Sequence, residues 1–434
     1  MSNRANHGSA RGDRRAIFSL IVVSLALRIM LIALVPSRLW FAGGDGPWYV
    51  RQGWFLAHGG PPEPLRTVGP LYPVVLAAVW KAFPDHGDPT DPNSVAIPFL
   101  TSVHVFQVLL GTLTVVLVFR LIRRLLIARR AAWLAAAALA IGPAFVIEPV
   151  LLHTETLFIT LLVATVLLRV RNSSIDPVAS ALTGCVAALA ALARPVLLLF
   201  PFVLAAQIVL SNRSKRAVRA ALTMMVGAAL TLAPWHIWLH RNTGSWLPAG
   251  FASNLWIGTQ RDGGPLEVTT FHELEDELEA SGRGYLGGAL HRIALEPGQW
   301  LMRRAANLTV AVLQPHGTSD LGGASTKEAL RRWSREDRSL RGLVRVASSW
   351  TFWVRVSVYF FHYAALLLAA AGVWATLSDW RRWSPIYATA LYFLLVHALL
   401  PASPRYLFPL EPFLWVLGSA AIEATIVTDA AASR

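Results

Sequence analysis

Twenty consecutive residues, Ala16–Val35, carry a single charge, Arg28. A run of that length and apolarity matches a bilayer core of roughly 30 Å. In lipid, a backbone can satisfy its own hydrogen bonds only as a helix or a closed barrel. Further apolar runs follow at Val95–Phe119, Ala131–Ile147, Leu157–Leu168, Pro177–Ala193, Val196–Leu210, Ala220–Ala233, Ser349–Leu377, Ile386–Leu400 and Tyr406–Ile426. The pattern predicts an all-α polytopic integral membrane protein with about ten transmembrane helices.

Charge placement orders these runs. Segments 1–15, 120–130, 169–176, 211–219 and 378–384 each hold several Arg or Lys, whereas the turns near 148–153, 194–195 and 401–405 hold only Arg194 and Arg405. Basic connections stay on the cytoplasmic side. Both termini are therefore expected inside a plasma membrane, with 37–94 and 237–345 outside. Three regions follow: a core at 1–236 containing the first outer loop, an extracytoplasmic segment at 237–345, and C-terminal helices at 346–434. Leu71–Phe83 is too short and too Pro-bounded to cross, and reads as a juxtamembrane helix. Outer helices are expected at Phe271–Ala280 and Leu290–Leu313, the second broken by Pro297. The first apolar run lacks a small-residue cleavage site and reads as a retained helix.

Of 434 residues, 55% are hydrophobic and 15% charged, too apolar for an ordinary soluble enzyme. The net charge of +14 is carried largely by the basic connections, so it argues for topology and not for nucleic acid. One cysteine, Cys185, rules out an internal disulfide. There is no GxxxxGK[ST] phosphate loop, no D-x-D pair and no HExxH.

The polar groups that could do chemistry gather on the outer side. The stretch Phe41–Pro73 interrupts the apolar pattern after the first helix, with Asp45 between turn formers and Arg66 before Gly69-Pro70-Leu71-Tyr72-Pro73. Glu148, His153 and Glu155 mark the second outer turn, and Arg194 the third. Arg241 and Asn242 open the large segment, and His397, Arg405 and Tyr406 mark the last turn. Each has a plainer reading. Asp-Gly is a common turn, and Glu155 suits a helix N-terminus. Arg194 and Arg405 suit headgroup anchoring, and Arg28 and His397 suit packing. His153 with Glu155 offers two ligands for a divalent metal ion, which by themselves do not define a site. Trp40, Trp48, Trp54 and Trp235 fit the aromatic belt.

In order and sidedness, this pattern resembles the GT-C glycosyltransferases, in the branch of protein O-mannosyltransferases and lipid A aminoarabinose transferases. The residues carrying the resemblance are Asp45 with Tyr49, Arg66 before Gly69–Pro73, Thr154–Phe158, Arg194-Pro195, Pro234-Trp235 with Arg241-Asn242, and Arg405-Tyr406. The chain departs from the O-mannosyltransferases in its single acid at 45 and in lacking a large inserted domain, which weakens the case for a protein acceptor. The resemblance implies transfer of one sugar, with inversion, from a polyprenyl-phosphate donor to a lipid, glycan or protein at the outer face. Asp45 would be the base, and Glu155 would position the acceptor, hold a metal or orient Asp45. Arg66, Arg194, Arg241, Arg405 and Tyr406 would hold the donor phosphate, supported by Tyr49, Tyr72 and Glu148.

Two other classes compete. A secondary transporter would use Arg28, Glu148, Glu155 and His397 as intramembrane binding groups, but the halves show no symmetry. A non-catalytic assembly protein would tolerate neutralisation of Asp45. The orientation is testable in a Cys185→Ala background. Cysteines at Gly87 and Thr318 should react with an impermeant thiol reagent in intact cells, and cysteines at Ser214 and Ser384 should not. The reverse labelling would place the polar cluster on the inner face.

Overall fold

The computed structural model describes residues 2–34, 45–60, 69–83, 95–172, 176–260, 274–276, 278–318 and 325–432, with side chains described from residue 11 to 426. Arg66 and parts of the Gly/Pro-rich first outer loop, 37–44, 61–68 and 84–94, lie outside them, as do 271–273 of the expected Glu-rich helix. All regular structure among the described residues is helical.

The N-terminal half runs α1 (Ser2–Leu34), α2 (Gly46–His58), α3 (Leu71–Ala82), α4 (Ile97–Leu125), α5 (Arg129–Ile141), α6 (Pro143–Ile147), α7 (Glu155–Arg171), α8 (Pro177–Ala193), α9 (Phe200–Asn212) and α10 (Lys215–Thr243). The local sequence sets several boundaries. Asp176 caps α8 by accepting from the Ala179 amide at 2.8 Å, with Pro177 at the first helical position. Ser214 caps α10 through the Ala217 amide at 3.1 Å. With 12 residues, α3 cannot cross and is juxtamembrane, as expected. Trp80 pins it, donating to the Val50 carbonyl of α2 at 3.1 Å and stacking on Phe99 of α4 at 4.0 Å.

Two expectations need correction. The run Ala131–Ile147 is not one helix. It breaks at Gly142-Pro143 into α5 and a segment bent by 60°, because Pro143 cannot donate the hydrogen bond that would continue α5. Conversely, Pro234 does not end its helix. α10 continues through it to Thr243 and closes on Gly244 in the left-handed conformation (φ 72°). The segment expected outside the membrane therefore begins near 244, not at 237.

That segment contains α11 (Ala249–Gly258), α12 (Tyr285–Leu295), α13 (Pro297–Leu313), α14 (Thr326–Glu336) and α15 (Leu340–Ala347). The expected break at Pro297 falls between α12 and α13. Trp256, Leu278 and Ala289 form a small core here. Arg304 fastens α13 to the bundle by donating to the carbonyls of Ala398 and His397 at 3.1 Å and Gly258 at 3.3 Å.

The chain ends with α16 (Trp350–Thr376), α17 (Trp380–Leu399), the short α18 (Pro404–Leu407) and α19 (Glu411–Ala432). Among the described residues, six helices can cross a membrane by length and composition alone, or seven with the bent pair. One of the six is the 50-residue run Trp350–Leu399. Straight, it would be about 75 Å long. Yet both its ends bind the same outer segment, Arg355 to the Thr318 carbonyl and Ala398 to Arg304. The run therefore reverses at Leu377–Asp379. α7 and α8 have 17 residues each, and α7 also carries Glu155, Arg169 and Arg171, so the expected ten crossings stand only if these two short helices are counted too.

The span ends sort into two layers. In one, Arg123 pairs with Asp13 at 3.3 Å, Glu423 accepts from the Ile127 amide at 3.0 Å, and Arg382 reaches the Arg124 carbonyl at 3.4 Å. The other layer holds the polar groups described below. Between the layers, small residues let helices approach closely. A Cβ on Gly184 of α8 would fall 1.9 Å from the Met224 carbonyl oxygen of α10. Gly184→Leu should therefore lower the thermal midpoint in detergent by an amount corresponding to about 1–3 kcal/mol. Leu182→Ala, at a position 52% exposed on the same helix, should change it little.

Candidate active site

Charged side chains from four distant parts of the chain meet in the second layer. Glu155 opens α7 and its carboxylate has no exposed surface. Pro195 terminates α8, leaving Arg194 extended (φ −142°, ψ 114°). From there, Arg194 Nη1 donates to Glu155 Oε1 at 2.6 Å. Ser403 caps α18 through the Tyr406 amide, which turns Arg405 toward the same acid. Arg405 Nε donates to Glu155 Oε1, and its Nη2 donates to Oε2 at 3.3 Å. Its remaining branch, Nη1, donates to Asp45 Oδ2 at 2.6 Å. Asp45 stands at the start of α2 with its side chain 54% exposed. Arg405 thus bridges an enclosed carboxylate and an open one.

Aromatic rings flank the Arg194 guanidinium. Arg194 lies over Phe158 at 5.7 Å and over Tyr406 at 5.5 Å. Tyr406 stacks on His397, whose Nδ1 lies 3.0 Å from the Pro401 carbonyl oxygen. Tyr49 packs edge-on against Tyr72 at 5.3 Å, and Gln107 donates to the Tyr72 hydroxyl at 2.7 Å. Beside them is a mainly apolar cavity of about 380 Å³. Phe158, Leu199, Phe251 and Phe393 line it, with Tyr49, Arg194, His397 and Tyr406 supplying polar edges. α11 contributes Asn254.

A second group adjoins the first. Glu148 receives His316 Nε2 at 2.7 Å, and His153 Nδ1 lies 3.5 Å away, an ion-pair separation too long for a good hydrogen bond. Burial works to lower the pKa of His153, but the Glu148 carboxylate outweighs it and the net shift is upward. Ligand atoms of Glu148, His153 and Glu155 all lie within 4.8 Å of one another. Glu148 Oε1 and both His153 nitrogens are buried without a hydrogen-bond partner among the described residues. Those orphaned atoms fit a divalent cation on the Glu148–His153 side. Glu155 fits one less well, being already held by two guanidiniums.

The structure does not gather every expected residue. Arg241 is exposed in the last turn of α10, with no contact to the cluster among the described residues. Arg28 is buried and donates to the carbonyls of Ser24 at 3.0 Å and Phe145 at 2.6 Å, the structural role expected of it. His316 was not anticipated. Its only sequence signal is the turn Pro315-His316-Gly317 after an amphipathic helix.

Comparison with known proteins bears on the fold and on part of the sequence. The family model for dolichyl-phosphate-mannose-protein mannosyltransferase matches residues 99–238. No curated protein matches the chain's sequence. Among solved structures, the chain is similar to the archaeal oligosaccharyltransferase AglB from Archaeoglobus fulgidus in complex with an inhibitory peptide and a dolichol-phosphate. The TM-score is 0.55 and the identity 15%, over 95% of this chain and 50% of that one. The same enzyme tethered with an acceptor peptide containing the NVT sequon gives a TM-score of 0.54 at 15% identity, with the same coverage of both chains. The chain thus spans about half the length of these structures. Both comparisons bear out the resemblance read from the sequence: this is a GT-C fold, similar over residues 99–238 to a mannosyltransferase family.

The network makes a stability prediction. Glu155→Ala removes the acid shared by two guanidiniums and should destabilise the folded protein by about 3 kcal/mol, read from its thermal midpoint. Adding Arg405→Gln to that variant should recover part of the loss, because one stranded charge is then gone. Additive losses would show that the pair is not coupled.

Proposed function

We propose that this chain is a membrane glycosyltransferase that moves a single sugar from a polyprenyl-phosphate donor to an acceptor hydroxyl at the outer face, with inversion. The observation that carries this reading is the junction of Arg194, Arg405, Glu155 and Asp45 with an apolar cavity. A polyprenyl-phosphate sugar has the matching parts: an apolar chain, an anionic phosphate and a reactive anomeric carbon. The apolar chain would lie along Phe158, Leu199 and Phe393. The phosphate would meet Arg194 and Arg405, whose planar forks suit phosphate oxygens.

In the reaction, the acceptor oxygen attacks the anomeric carbon as the carbon–oxygen bond to phosphate breaks. The bond electrons leave with the phosphate, and the hydroxyl proton passes to Asp45. Positive charge held in place before the reaction stabilises the departing phosphate. Glu155 is enclosed, so we assign it the task of positioning the two arginines. Asp45, the open acid, is assigned the proton. A divalent ion held by Glu148 and His153, with Glu155 beside them, would add positive charge toward the leaving group. Arg66 remains part of the phosphate proposal on sequence grounds; Arg241 has no support from its position.

The archaeal oligosaccharyltransferase structures hold a dolichol-phosphate with an inhibitory peptide in one case and an acceptor peptide tethered via a disulfide bond in another. By analogy these favour the donor class and make a peptide one acceptor to assay beside lipids and glycans. A transporter reading gains little, since Arg28 is bonded to carbonyls and Glu155 to arginines.

The test is single-turnover transfer beside donor binding, on protein shown to be folded. Asp45→Asn should cut turnover by about 10²–10⁴ while changing donor affinity little. Arg194→Lys should weaken both, because an ammonium keeps the charge and loses the fork. Efficient transfer from a soluble nucleotide sugar without lipid would refute the donor assignment. Near wild-type turnover by folded Asp45→Asn would remove Asp45 from the chemistry.

A further inference from the structure

The segment between the outer helices and the last spans is unlike the rest of the chain. Residues 325–349 hold seven basic residues against three acids. They fold into two capped helices. Ser325 accepts from the Glu328 amide to start α14, and Ser339 accepts from the Gly342 amide to start α15. Both helices divide their residues sharply. In α14, Ala329, Leu330 and Trp333 fall on one face, with Lys327, Arg331 and Arg335 opposite. In α15, Leu340, Leu343, Val344 and Ala347 fall on one face, with Arg341 and Arg345 on another. Leu340 is 81% exposed and Val344 66% exposed. None of the seven basic side chains forms an ion pair among the described residues.

The place of this pair says what covers it. α15 leads within three residues into α16, whose first turns expose Trp350 and Trp353. The Trp353 indole donates to the Ala347 carbonyl at 2.7 Å, tying the end of α15 to the start of the span. A shallow groove joins α14 to Tyr359, more than two turns into α16. The helices therefore lie where α16 enters the bilayer, with tryptophans at the depth typical of an aromatic belt. The orientation rule weighs basic residues within roughly 15–20 positions of a span end, but it does not account for their sorting onto one face of each helix opposite the apolar side chains.

We propose that residues 325–349 form an in-plane anchor that binds anionic phospholipid headgroups of the leaflet that α16 enters. The apolar faces sink into the headgroup–acyl boundary, and the arginine stripe contacts lipid phosphates. This does not depend on the reaction catalysed or on which leaflet is outer.

The test uses full-length protein in a Cys185→Ala background with a fluorophore on Val344→Cys. It is reconstituted in vesicles of phosphatidylcholine mixed with phosphatidylglycerol. Either lipid carries the nitroxide quencher at equal mole fraction. Quenching by labelled phosphatidylglycerol should exceed that by labelled phosphatidylcholine by about three-fold or more. The variant Arg331→Gln, Arg335→Gln, Arg341→Gln, Arg345→Gln should lose that preference while still being quenched. If this variant fails to fold, Arg341→Gln with Arg345→Gln should give an intermediate preference. Equal quenching by the two lipids would overturn the proposal, as would a preference that survives charge removal. Quenching by neither would overturn it too, showing the apolar face to be covered by protein.

Discussion

A carboxylate with no access to water cannot stay charged alone, and Glu155 is such a group. Moving an ion into a low-dielectric interior costs several kcal/mol, which only close opposite charges and hydrogen bonds offset. Arg194 and Arg405 supply both, and Thr154 adds a hydroxyl donor at 3.2 Å. The consequence is architectural. The start of α7, the end of α8 and the turn before α19 must meet at one point. Arg405 then carries the tie out to Asp45, 360 residues away in sequence. An apolar trio would hold these ends together at lower cost. The retained charges make sense when the place has to receive an anion.

Much of the membrane architecture was legible because hydrophobicity and arginine placement act locally. A run of apolar residues long enough to cross needs no partner to declare itself. Proline was not legible in the same way. At 143 it breaks a helix after a glycine, and at 234 it is absorbed inside one. The residue type is identical; the outcome depends on whether neighbouring groups satisfy the freed carbonyl, which is tertiary information.

The candidate site divides similarly. Sequence placed Asp45, Glu155, Arg194 and Arg405 on one side, because sidedness follows from counting spans. It could not pair them, since pairing depends on how the ends converge across hundreds of residues. Nor could it separate Arg194 from Arg241, both near outer helix ends, when only Arg194 is turned inward by a following proline. His316 lay outside any expectation because its partner, Glu148, is 168 residues away in sequence. Through this contact and the Arg304–carbonyl bonds, the outer segment is fastened beside the site instead of hanging as a loose cover.

The arginines therefore sort by what they bind. Arg28 and Arg304 end on backbone carbonyls inside the protein. Those carbonyls have no competing solvent, and withdrawing a guanidinium would leave buried acceptors unsatisfied. Such arginines hold helices together and have little freedom to do anything else. Arg194 and Arg405 end on carboxylates, and their own side chains retain 19% and 24% exposure. An arriving phosphate can replace one acid–guanidinium contact with another of the same charge type. If Arg405 holds the donor phosphate as proposed, its guanidinium would never pass through an unpaired state, and Asp45 would be released as the phosphate takes its place. Under the proposed function, donor binding and release of the Asp45–Arg405 contact would then be a single exchange of hydrogen bonds, freeing the proposed proton acceptor of its ion-pair partner when a sugar is in place.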